Sequence, residues 1–239
     1  MAKIEDIINQ IQKIAPLETQ EIWDNSGWQI RLQKKDIKKI ILCISITEEV
    51  LKQTNEQKCD MIISHHPLYF GNSVVSNPLV LDIIRNHLPV YSVHTPFDKA
   101  KNGTTDMLIK ACGFCIDEVL NEYTKIYYAD ITMQELIHRI KKGLVIKNLR
   151  ITNYDPKKNV KKVAFCAGSG TGFCAEVFLA DCDCFVTADL KYHTALDFKG
   201  TIIDVGHLES EKPSLQALKN ILQNVECVIA KENSPIEIL

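Results

Sequence analysis

Strand-like apolar runs alternate with helical patterns along this chain, and three of the runs stop at a histidine: CDMIISHH (59–66), LPVYSVHTPFD (88–98) and GTIIDVGHLESE (200–211). Apolar runs joined by helices are the pattern of a mostly parallel sheet with both faces covered. In such sheets the functional crevice lies outside the carboxyl ends of the strands. His94 and His207 are each followed four residues later by a carboxylate, Asp98 and Glu211. Imidazole with carboxylate suits zinc, manganese or iron. The pattern predicts an α/β fold with ligands at strand ends and chemistry at a metal centre.

The alternation can be followed along the chain. Ile4, Ile7, Ile8, Ile11 and Ile14 recur at helical spacing and are followed by Pro16, which predicts a first amphipathic helix and its stop. A strand is expected near 38–45 with a helix after Thr47, then a strand at 60–65 and a helix near 78–87 with Asn77 as its N-cap and Pro78 in its first position. A strand at 89–94 and a helix near 104–112 closed by Gly113 complete a first lobe, 1–118. From 119 a second lobe is expected to run to 239. It opens with the strand-like TKIYY and a helix that starts at the Thr132–Glu135 capping box and ends at Gly143. Two strands follow around a turn at Asp155–Lys158. The strands KKVAFCA, CFVTA and TIIDV come next, the second leading into a helix that holds Lys191, Tyr192 and His193. VECVIA reads as a last strand that can return to the first lobe.

Composition narrows the function. A formal charge of −2 and a pI near 6.4 give no overall basic field, which disfavours binding through many phosphate contacts. The start MAKIEDIINQIQKI lacks the charged and apolar regions of a secretory signal, and the run IILCISI is far too short to cross a bilayer, so a cytoplasmic protein without membrane partners is expected. Nine cysteines, an odd number scattered through apolar segments, read as reduced core thiols. CGFC (112–115) has redox spacing but follows a helix end, and the CDC pair, Cys182 and Cys184, also reads as core.

The polar residues at the strand ends carry the chemistry. His65 and His66 are adjacent and followed by Pro67, so the strand is ending and both rings can turn to one side. Asp98 is an oxygen ligand or an N-cap, and His94 is a ligand or a donor behind one. His207 and Glu211 share a face if the helix near Pro213 reaches back one turn, whereas Glu209 and Glu211 otherwise serve as first-turn acids. His87 and His138 fall in helical patterns and read as surface residues. GSGTG (168–172) sits between a strand and a helix, where the amides of Gly168, Ser169 and Gly170 can cradle a phosphate, although a tight turn explains it as well.

WDNSGWQI, SHHPLYFG, VYSVHTPFDKA with Asn102 and Gly103, and DVGHLESE together resemble the signature segments of the NIF-three-like family, whose bacterial members are described as GTP cyclohydrolase type 2 homologues. The likeness runs from near residue 4 to near 225. It implies two α/β lobes with a dinuclear metal site in the cleft between them, and a ring-shaped homohexamer. Carried over by position, the ligands of two divalent ions, zinc first with manganese or iron as alternatives, are His65, His66, Asp98, His207 and Glu211. His94 stands beside the site, and His193 matches a position close to the cleft as a candidate acid/base. The implied activity is ring opening of a purine nucleotide, GTP, by a metal-bound hydroxide. A non-catalytic metal carrier or interaction hub is the alternative. Ser45 stands where the family often has aspartate, Arg31 replaces a glycine, and Thr187-Ala188-Asp189 stands for a TGE or TGD segment.

Overall fold

A computed structural model describes residues 1–33, 36–69 and 77–236. Phe70 and Gly71 of the SHHPLYFG segment lie outside the described residues. In chain order the first elements are β1 (Ala2–Lys3), α1 (Ile4–Gln12), β2 (Gly27–Ile30), β3 (Asp36–Ile37), β4 (Lys39–Cys43), α2 (Glu48–Glu56), β5 (Met61–Ser64), α3 (Pro78–Arg85), β6 (Val90–Ser92) and α4 (Thr95–Lys99). They continue with α5 (Thr104–Ala111), β7 (Glu118–Val119), β8 (Lys125–Thr132), α6 (Met133–Leu144), β9 (Arg150–Ile151), β10 (Asn159–Phe165), α7 (Cys174–Leu179) and β11 (Cys184–Thr187). The last are α8 (Tyr192–Asp197), β12 (Thr201–Asp204), α9 (His207–Glu211), α10 (Ser214–Ile221) and β13 (Glu226–Ile229). By contact these form two compact units, Met1–Lys101 with Leu215–Asn233, and Asn102–Ser214 with the tail from Ser234.

The first unit is built on a five-stranded sheet in the order β13-β4-β5-β6-β2, parallel except for β2. Its inner strands are largely apolar because both faces are covered, and Ile40, Ile41, Leu42, Met61, Ile62 and Ile63 have no exposed surface. Each such side chain contributes about 1.5–3 kcal/mol relative to leaving it in water. The Asn77 cap read from the sequence is present, accepting from the Leu79 amide, and Thr47 ahead of α2 also caps its helix by accepting from the Val50 amide. β13 pairs with β4, which brings the end of the chain back to the first sheet.

The second unit has a six-stranded sheet, β7-β8-β10-β11-β12-β9, with a parallel centre of β10, β11 and β12. One apolar cluster joins Leu108 and Ile109 of α5 and Leu136 and Ile140 of α6 to the sheet, and a second joins Val177 of α7 and Phe198. α5 therefore groups with this unit, although the sequence alternation had joined it to the lobe before 118. Gly143 does not end α6: the helix runs to Leu144 and stops at Val145 in the left-handed conformation. A Cβ at Gly143 would lie 2.1 Å from the Ala111 carbonyl oxygen, so glycine is required there by close approach to α5. The strands beside the Asp155–Lys158 turn do not pair with each other, since β9 joins β12 while β10 lies between β8 and β11. Among the described residues no helix is long and apolar enough to cross a membrane.

Candidate metal centre

In the first unit, Ser64 at the end of β5 is in register with Ser92 at the end of β6, so the loops that follow start side by side. The β4 ladder continues past β5, with the His65 amide donating to Cys43 O at 2.9 Å and the His66 amide to Ile44 O at 2.8 Å. In a flat strand the two rings would face opposite ways. Here the strand has ended at Ser64, just before both residues, and their centroids lie 5.0 Å apart. The His94 ring stands 5.2 Å from His65 and 5.5 Å from His66. One nitrogen from each of the three rings lies within 4.8 Å of the others. α4 then places Asp98 one turn after His94, with its Oδ1 3.4 Å from His65 Nε2.

Each ring in this group has its Nδ1 held. His65 Nδ1 meets Val93 O at 2.8 Å, His66 Nδ1 meets Ser45 Oγ at 2.8 Å, and His94 Nδ1 meets Asp24 Oδ1 at 2.9 Å. Such contacts fix ring orientation and tautomer and turn Nε2 toward a ligand. The departure from the family at Ser45 thus falls on the partner of His66. Ser45 is itself placed by Glu232, whose carboxylate accepts from the Ile44 and Ser45 amides at 2.8 and 2.9 Å.

Asp24, within WDNSGWQI, has no role that the sequence pattern assigns, yet it stands directly behind His94. Its side chain is fully buried. It accepts from Ser26 Oγ at 2.7 Å, Thr95 Oγ1 at 2.5 Å and the Thr95 amide at 3.2 Å, besides facing His94. Burial opposes its charge, yet the hydrogen bonds from His94, Thr95 and Ser26 hold the carboxyl well below the usual carboxylate range. The only signal in the sequence was an acid inside an aromatic segment.

In the second unit the loops after β10, β11 and β12 carry Gly168, Asp189 and His207. His207 opens the short helix α9, which precedes α10 and is separate from it, and Glu211 follows one turn later. His207 Nδ1 meets Asp189 Oδ2 at 2.7 Å, and Nε2 faces Glu211 Oε1 at 3.2 Å. Burial disfavours the imidazolium, but Glu211 and then Asp189 outweigh it by hydrogen bonding and charge and lift the His207 pKa to about 9. Glu209 turns back toward the Gly206 backbone, so Glu211 is the acid beside His207.

Gly168, at φ +65°, shapes this group: a Cβ there would stand 2.4 Å from Glu211 Oε1 and 3.6 Å from His207 Nε2. Two of the three amides expected in a phosphate cradle, those of Gly168 and Gly170, are used within the fold. The Gly168 amide donates to Ser210 Oγ at 2.8 Å, and the Gly170 amide donates to Gly168 O at 2.9 Å and Thr187 Oγ1 at 3.0 Å. That makes GSGTG a turn that supports α9 through Ser210. His193 lies exposed in the first turn of α8, with Lys191 at the N-cap and Tyr192 as its ring neighbour at 5.5 Å. His87 and His138 are exposed, as expected. All nine cysteines are free thiols, seven of them buried; Cys115 is exposed.

The donor set fits divalent cations. Two donors about 2.0–2.2 Å from one tetrahedral ion stand roughly 3.3–3.6 Å apart. The nitrogen-to-oxygen separations of 3.4 Å at His65–Asp98 and 3.2 Å at His207–Glu211 are close to that spacing.

The profile of the Duf34/NIF3 (NGG1p interacting factor 3) family matches residues 2–235. The chain belongs to the Duf34/NIF3 family. It is 32% identical over 266 residues to a Clostridium perfringens protein named GTP cyclohydrolase 1 type 2 homolog, covering 99% of this chain and all of the relative. A Helicobacter pylori protein named GTP cyclohydrolase 1 type 2 is 26% identical over 252 residues, covering the whole of both chains. The fold matches a Staphylococcus aureus crystal structure at a TM-score of 0.89 and 24% identity over 99% of each chain.

Proposed function

We propose that the protein is a divalent-metal-dependent hydrolase of purine nucleotides, and that its reaction is opening of the guanine five-membered ring of GTP by water addition at C8. The single observation that carries this reading is that four imidazoles, His65, His66, His94 and His207, have Nδ1 held by Val93 O, Ser45, Asp24 and Asp189. Names carried by Duf34/NIF3 relatives supply the nucleotide. His65, His66 and Asp98 of the first unit, and His207 and Glu211 of the second, hold two ions, with zinc preferred and manganese or iron admissible. When bound, such ions lower the pKa of a coordinated water and polarise the group under attack.

This chain's own residues orient and protonate. Asp24 holds His94 by Nδ1 and fixes the orientation of its ring, so His94 Nε2 is the atom that takes and returns a proton. His193 is the second candidate for that role. The family's ring-shaped hexamer belongs to the same proposal.

The test is turnover by protein loaded with zinc, manganese or iron on a panel of nucleotides and phosphoesters, with His66→Ala and Glu211→Ala as controls. Wild type should release ring-opened product from GTP, and both variants should lose metal and turnover together. If the variants lose metal while wild type never converts any substrate, the non-catalytic metal carrier or hub replaces the hydrolase.

A further inference from the structure

The turn Glu21–Asp24 displays two large apolar side chains while its ends are pinned. Ile22 is fully exposed at 104% and Trp23 is 63% exposed. On one side the Glu21 amide donates to Thr95 Oγ1 at 3.1 Å and the Glu21 carboxylate meets Lys99 Nζ at 2.7 Å. On the other, the Asp24 amide donates to Glu21 O at 3.0 Å and its carboxylate takes the bonds from Ser26, Thr95 and His94 described above. An indole on a loose loop would fold against the nearest apolar surface to shed its water. Both anchors, Thr95 and Lys99, lie on the helix that carries Asp98, so the turn is fixed to the histidine cluster.

Trp23 meets the His94 ring at 5.8 Å with the planes 77° apart. That edge contact occupies at most one indole face. We propose that Trp23 is a stacking platform for a planar heterocycle, the base of a purine nucleotide whose polar atoms reach the histidines. The choice of a nucleotide rests on the function proposed above. A platform held in place before the ligand arrives avoids the cost of ordering it, and every base offers a π-face. The rival occupant is a second copy of this chain covering Ile22 and Trp23. The base is favoured because anything lying on the indole also lies beside His94, where the chemistry is proposed.

The chain has two tryptophans, Trp23 and Trp28, so Trp28→Phe leaves one reporter. GMP, guanosine and ribose 5-phosphate are titrated into this variant both metal-free and zinc-loaded, and calorimetry compares wild type with Trp23→Ala. The expected result is quenching by GMP and guanosine but not by the sugar phosphate, with GMP binding roughly 5- to 150-fold weaker in Trp23→Ala. Should Trp28→Phe not fold, the same quench is read as the difference between wild type and Trp23→Phe. Quenching by bases in a protein that binds no metal and turns over nothing leaves this inference standing and removes the hydrolase. Equal GMP affinity in wild type and Trp23→Ala overturns the inference, even if the zinc-loaded enzyme is active. It is also overturned if the indole of the ligand-free protein resists acrylamide and Trp23→Ala changes the oligomeric mass.

Discussion

The first unit gathers three imidazoles with two acids, Asp98 facing His65 and the buried Asp24 behind His94, whereas the second sets one imidazole between two acids, Asp189 and Glu211. The histidines of the first group are held by a hydroxyl, a backbone carbonyl and the buried Asp24, so their orientation derives from the strand ends and the β4 ladder. The second group derives its orientation from a one-turn helix seated over Gly168 and tied through Ser210. Nitrogen-rich and oxygen-rich halves differ in what they need. The first must keep rings oriented, and the second must keep two like charges close to one imidazole.

The largest expected effect comes from removing a donor. His65→Ala or Glu211→Ala should lower metal affinity by more than about 100-fold, exceeding the range for residues that only support ligands, as read by metal content after dialysis. If one of these variants keeps full stoichiometry, its half is not a ligand group. Gly168→Ala comes next and probes the second half alone. The added methyl meets Glu211 and forces a left-handed alanine, so we expect a stability loss of about 1–3 kcal/mol in thermal unfolding together with metal loss.

Asp24→Asn and Asp189→Asn compare the two carboxylate partners, and each should weaken metal binding about 10- to 100-fold by calorimetry. The Asp24 change should also remove acid sensitivity. Its folded pKa is depressed, so its stabilisation is present above the unfolded value and is lost as pH falls below about 4.

The pH dependence of metal binding distinguishes the halves further. His207 has a raised pKa of about 9, so below that pH an ion must displace its proton, and affinity should climb with pH by up to about tenfold per unit until about 9. In metal-free protein the sign is opposite: the stabilisation from charged His207 is complete below about 6.5 and disappears as pH rises through about 9. Protein with Glu211→Gln should show a flatter profile in both measurements. The smallest effect belongs to Ser45. Ser45→Ala should weaken metal binding by about tenfold, and Ser45→Asp should restore or exceed wild type, because a carboxylate raises imidazole basicity more than a hydroxyl.

Much of the site was legible because strand ends announce themselves. Three apolar runs ending in histidine, with Pro67 after the first, placed His65, His66, His94 and His207 where parallel strands stop. The partners Asp24 and Asp189 were not readable as such. Asp24 lies 70 positions from His94 and Asp189 lies 18 from His207, and no local pattern reports a hydrogen bond across that separation. Gly143 was misread for a related reason: glycine after a helical run signals a stop in sequence, whereas here it admits the carbonyl of α5.

Periodicity, caps and strand-end residues are local, and the sequence by itself determined the alternation of elements, the Asn77 and Thr132 caps, and which polar residues follow the strands. The tertiary structure alone decided that α5 packs with the second sheet, that β13 closes the first, that GSGTG spends its amides on Ser210 and Thr187, and that each imidazole meets its own Nδ1 partner. Those outcomes depend on which distant segments share a core. Burial selects such segments by total shape, which a linear pattern of residue types does not encode.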